Sequence, residues 1–138
     1  MLQADRDDFK NSYRNHYHTY LNSIDDNKNI YSRRLLLVYC VESGLKCVLM
    51  KKAKIYSVSK AGPDLNRLLG SHDFDILLRN IPLTSYRFPS FKTSHNDDVS
   101  ANNYHEMVRY AIRTDSHEKF HDYNHQLEEI AGWLREKI

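Results

Sequence analysis

Glycine and proline are scarce: the 138 residues hold four of the first and three of the second. With so few breakers, long stretches run without punctuation, which favours helices. No glycine-rich loop is present to cradle a phosphate, and no zinc-finger spacing or supported Ser/His/Asp arrangement occurs. Cysteine is limited to Cys40 and Cys47. Seven apart on one helix, they stand roughly 10 Å apart along its axis, too far to bridge. Two unpaired thiols fit a reducing cytoplasm. No long apolar run exists; Leu35 to Val41 is too short to cross a bilayer before Glu42 appears. The first thirty residues are polar and charged, so no secretory signal is expected. A net charge of +2 does not by itself argue for a nucleic-acid partner.

What is present is an ordinary globular composition, 41% hydrophobic and 28% charged, with ten tyrosines and eight histidines. The length suits one domain spanning residues 1–138. Phe9, Tyr13, Tyr17, Tyr20 and Ile24 recur at helical spacing and predict a first helix over Asp8 to Ser23. A second is expected from a Ser32 cap to Lys54. It is apolar all round from Leu35 to Val41 and so central in a bundle. Small residues Ser43 and Gly44 allow a neighbour to approach closely. Short helices are expected over Pro63–Leu69 and from a Ser71 cap to Arg79, with a weak strand pattern at Ile55–Val58. Pro82 to Asn103 has no period and reads as a long irregular loop, a length often tied to function. Tyr104 to Ile112 is apolar again. A last helix, started by Asp115 with Glu118, buries Phe120, Tyr123, Leu127, Ile130 and Leu134. The fold class is therefore all-α, a bundle of four to five helices.

Three constellations carry chemistry. Glu42 and Lys46 stand one turn apart on the same face as Leu35, Tyr39 and Leu49. They are either an ion pair at the core edge, with Lys46 reaching to water, or a retained buried pair lining a cleft or a dimer interface. His117, His121 and His125 form a stripe turned away from their own helix's core, with Arg109 and Arg113 extending the spacing backwards. That stripe is either a solvated face or a phosphate-holding surface in which His moves a proton and Arg steadies the phosphorane. A metal site there has no partner motif. Arg67 and His72 leave four residues between them, yet Gly70 and Ser71 intervene, so His72-Asp73 reads as a helix start.

Leu36-Leu-Val-Tyr-Cys-Val-Glu-Ser-Gly-Leu-Lys-Cys-Val-Leu49, Ser71-His-Asp-Phe-Asp-Ile-Leu-Leu78 and Val108-Arg-Tyr110 appear in this order. Together they resemble the HEPN superfamily, the higher eukaryotes and prokaryotes nucleotide-binding domains, from about Tyr31 onward. The resemblance implies an antiparallel helical bundle, a homodimer, and work in a prokaryotic toxin–antitoxin or anti-phage defence system. It implies RNA or a nucleotide bound in a polar dimer cleft, and no cofactor. Catalytic members cut RNA without metal through Arg-x4–6-His. Here Arg113 to His117 leaves three residues, while Arg109 to His117 and Arg113 to His121 each leave seven. The resemblance thus leaves two roles open. One is a metal-independent endoribonuclease using Arg113, His117 and His121, with Arg109, Tyr110, Lys46 and Glu42 binding RNA or nucleotide. The other is a non-catalytic module that dimerises or docks a partner such as a nucleotidyltransferase.

Overall fold

Asp5 opens the first helix, α1 (Arg6–Asn22), its backbone N–H held by the Asp8 carboxylate at 2.8 Å. The computed structural model describes residues 3–83 and 85–138; Thr84, inside the expected irregular stretch, lies outside them. α2 (Ile30–Lys52) starts two residues before the expected Ser32 cap. Asp26 accepts the backbone N–H groups of Lys28 and Asn29, and this turn delivers the chain into a helix at once. Lys54 takes a left-handed conformation (φ 58°) and stops α2 at Lys52. The weak strand pattern at Ile55–Val58 gives instead a 3-10 turn, Val58–Lys60. Val58 N–H bonds the Asp5 carboxylate, and Tyr56 carbonyl accepts Arg6 N–H, so this segment folds back on the start of α1.

α3 (Pro63–Leu69) matches its expected span. α4 (Phe74–Arg79) starts later than a Ser71 cap would place it. The Asp73 carboxylate accepts the N–H groups of Asp75 and Ile76 and is the real cap, while Ser71 Oγ accepts Asp73 N–H. The stretch expected to be irregular holds a short antiparallel ribbon. β1 (Phe91–Lys92) pairs with β2 (Asp98–Val99), and Thr93 bridges to Thr114. α5 (Tyr104–Arg109) follows. α6 (His117–Lys137) is preceded by Ser116 as cap residue, not Asp115. Thr114 fixes that entry, its hydroxyl accepting Ser116 N–H and donating to the Lys92 carbonyl.

The chain is mostly helical, and contacts define how the long helices run. Ser12 meets Ser43, and Arg33 reaches the Tyr20 carbonyl, so α1 is antiparallel to α2. Tyr13 donates to Ala131 carbonyl, and Asn124 to Tyr20, so α1 is also antiparallel to α6. Arg34 bonds Phe120 while Lys51 bonds Lys137, so α2 and α6 run parallel. The expected wholly antiparallel arrangement gives way here because α3, the ribbon and α5 return the chain before α6 starts. The five apolar positions expected on the last helix are all buried. Tyr123 stacks on Tyr104 with centroids 3.8 Å apart, and Phe88 from the long loop stacks on Tyr123 at 4.5 Å. The loop is thus pinned by its aromatic residues.

At Gly44 of α2, side chains of α1 and α6 close in on the backbone. A Cβ there would lie 2.6 Å from Leu134 Cδ1 and 3.0 Å from the Tyr13 ring. Gly132, on the exposed side of α6, would meet nothing within 4 Å. Gly44→Val is therefore expected to cost at least about 1–3 kcal/mol through overpacking. Gly132→Ala should gain up to about 1 kcal/mol from helix propensity. Urea midpoints read both, and equal shifts in the two variants would contradict the packing described.

Candidate functional site

The centre of α2 carries a polar strip on an otherwise buried helix. Glu42 Oε2 lies 3.6 Å from Lys46 Nζ, and their side chains are only 13% and 6% exposed. Lys46 is buried and Glu42 half-buried, so the lysine is not turned to water. Desolvation pulls the Lys46 pKa down, and Glu42 acts against that by favouring the charged ammonium.

The other oxygen of Glu42 is used from a different element. His72, just before the Asp73 cap of α4, places Nδ1 2.8 Å from Glu42 Oε1. A carboxylate only accepts, so His72 holds its proton on Nδ1 and leaves Nε2 free of Glu42. The His72 ring then packs against His105 of α5, centroids 4.6 Å apart. His105 is 8% exposed, and its Nδ1 has no hydrogen-bond partner among the described residues. Burial pushes the His105 pKa below the usual imidazole value; nearby His72 lowers it too, while Glu42 and Glu106 oppose the shift.

Arg109 stands one turn after His105 on the same short helix and is exposed. It sits beside the hydroxyls of Tyr110 and Tyr39, which raise its pKa further. Tyr39 is one turn before Glu42 on α2, and its ring touches His16 of α1 at 5.4 Å. Burial lowers the His16 pKa as well. The strip therefore offers a fixed carboxylate, a buried ammonium, two imidazoles in contact and a guanidinium. That set can bind an anion and move a proton, the requirements for work on a phosphodiester.

The structure brings Glu42, Lys46, Arg109 and Tyr110 into this neighbourhood. It puts the remaining expected residues elsewhere. Arg113 is exposed, and its backbone carbonyl accepts Ser94 N–H. His117 is exposed at the first position of α6. His121 Nδ1 accepts from Arg34 Nη2 at 2.9 Å, while Arg34 itself is buried over the Phe120 ring and donates to the Phe120 carbonyl. Arg67 pairs at the surface with Asp64. Sequence reasoning missed His105, whose signal was a histidine one turn before Arg109 inside an apolar run. It read His72-Asp73 as a helix start, which Asp73 is, and did not foresee the bond from His72 to Glu42. Among the described residues no group of three or more His, Cys, Asp or Glu is disposed to hold a metal ion, and no helix is long and apolar enough to cross a membrane.

Buried His105 and half-buried His16 make a prediction. Their folded pKa values lie below the ordinary 6.5, so the unfolded chain binds more protons between those values and 6.5. Their contribution to stability therefore rises with pH across that window and is lost as pH falls through it. In urea titrations from about pH 7.5 to about pH 5, the His16→Gln, His105→Gln double variant should lose less stability than the wild type. Parallel curves would show that neither imidazole is buried neutral. No family model, curated protein or solved structure matches the chain.

Proposed function

We propose that this chain is a HEPN-like module that binds RNA at the Glu42–His72–His105–Arg109 strip and cleaves it without metal. The observation that carries this is the contact between His72 and His105, one imidazole held by a half-buried carboxylate and the other buried with an unpartnered nitrogen. His105, with its lowered pKa, is neutral at physiological pH and suits a base that takes the proton of a ribose 2′-hydroxyl. His72, its Nδ1–H held by Glu42, suits the acid: as an imidazolium it carries a second proton, on Nε2, to give to the leaving 5′-oxygen. Arg109 supplies fixed positive charge for the phosphorane. The three stretches that carry the HEPN resemblance supply Glu42 and Lys46, His72, and Arg109, and these lie around this one contact.

The same reading makes the protein a cytoplasmic homodimer of a toxin–antitoxin or anti-phage defence system, with the strip facing a cleft between copies. The test is incubation of the purified protein with single-stranded RNA in EDTA, beside His72→Ala, His105→Ala and Arg113→Ala/His117→Ala variants. The reading requires cleavage that the first two lose and the third keeps. RNA retained in a salt-dependent way by uncut wild type would leave a binding module. No cleavage and no salt-dependent retention would reject the reading.

A further inference from the structure

Where α2, α4 and α6 meet, away from the histidines, a cavity of about 700 Å³ opens. Its size suits a small molecule. Its floor is apolar: Trp133 of α6, Val48 of α2, and Ile81 with Pro82 just after α4. Its rim carries Lys51, Lys52, Arg79 and Lys137, and no carboxylate lines it. Lys51 Nζ is steadied by the Lys137 carbonyl at 3.2 Å and Lys52 Nζ by the Asn80 carbonyl at 3.0 Å. Each of these ammonium groups therefore keeps two N–H donors. Lys137 Nζ lies 5.6 Å from the centre of the Trp133 ring, so cation and aromatic face already adjoin.

Cations at helix C-termini ordinarily offset the helix dipole, and α2, α4 and α6 all end here. Three such termini amount to roughly one and a half negative charges in total. Four cations exceed that, so the rim stays positive over an apolar aromatic floor. Asp75, one turn before Arg79 on α4, offsets part of the charge of that one residue.

We propose that this cavity is a binding site for a nucleoside phosphate, its base stacked on Trp133 and its phosphate on Lys51, Lys52 and Lys137. A base offers a π-face of the kind that stacks on tryptophan. A free nucleotide and one nucleotide of a single strand share this chemistry. The site does not depend on the cleavage reading, since none of its residues belongs to the histidine strip.

Trp133 is the chain's one tryptophan, so its fluorescence reports the floor directly. AMP and a short oligoadenylate serve as probes, with the uncleaving His72→Ala/His105→Ala variant as host. Saturable quenching is expected, weakened by salt and weakened at least tenfold in a Lys51→Ala/Lys137→Ala variant of that host. Quenching by AMP assigns the site to free nucleotide; quenching by oligoadenylate alone assigns it to a strand. No saturable quenching by either probe, or quenching that the lysine variant leaves unchanged in a protein with normal helical circular dichroism, overturns the proposal.

Discussion

Alanine at His105 is expected to slow RNA cleavage in EDTA by about 10²–10⁴-fold, the usual loss when a positioned base is removed. The geometry also fixes how the loss should look. His105 is buried against His72 and pushed toward its neutral form, so wild-type activity should persist to pH below the ordinary imidazole range. His72 draws its orientation from Glu42, so Glu42→Ala should slow cleavage by loosening the ring, and Glu42→Gln, which keeps an acceptor oxygen for Nδ1–H, should slow it less. Arg109→Ala should lower kcat more than it raises KM if, as proposed, its charge meets the phosphorane; lysine there restores charge without the two-pronged geometry and should recover part of the rate. A His105→Ala protein that cleaves as fast as wild type would remove His105 from the chemistry. Loss confined to Arg113→Ala/His117→Ala would move the site to the start of α6.

The long helices were legible because their apolar residues repeat over many turns. Phe120 to Leu134 defines one buried face, and Leu35 to Val41 marks a central helix with no exposed residue along that run. Gly44 was legible for a related reason, since a small residue in an apolar helix invites a close neighbour. The short elements were not. α4 and α5 have six residues each, too few for a period to declare itself, and their limits rest on Asp73 and on the turn at Asn103. The ribbon has two residues per strand, and the aromatic residues that pin its loop pair with positions far along the chain. The histidine contact was hidden in the same way. Glu42 is separated from His72 by 30 residues. His105 lies further still, so only tertiary packing brings the two imidazoles together. The Glu42–Lys46 pair itself was visible, because a helix places residues four apart side by side.

That pair yields the largest stability effect. Glu42→Leu is expected to destabilise the protein by about 3–5 kcal/mol, because it leaves the Lys46 ammonium buried without its counter-charge. Lys46→Leu should cost less, since the Glu42 carboxylate keeps His72 and is the more exposed of the two. The Glu42→Leu/Lys46→Leu double variant should return to within about 1–2 kcal/mol of wild type or exceed it, as apolar replacements of buried ion pairs often do. The sign with pH follows from the lowered Lys46 pKa. The unfolded chain binds more protons just below the ordinary lysine value, so the burial cost is fully present at lower pH. It is relieved as pH rises through the folded value, and more so in Glu42→Leu, where nothing supports the charge. Urea unfolding of the four proteins gives the coupling energy, and single losses that simply add would show the two charges to be independent. The double variant also separates the two purposes the pair can serve. If it is stable and still cleaves RNA, the charges belong to packing alone. A stable double variant that no longer cleaves would mean that Glu42 is retained, at a cost in stability, to hold His72 against His105.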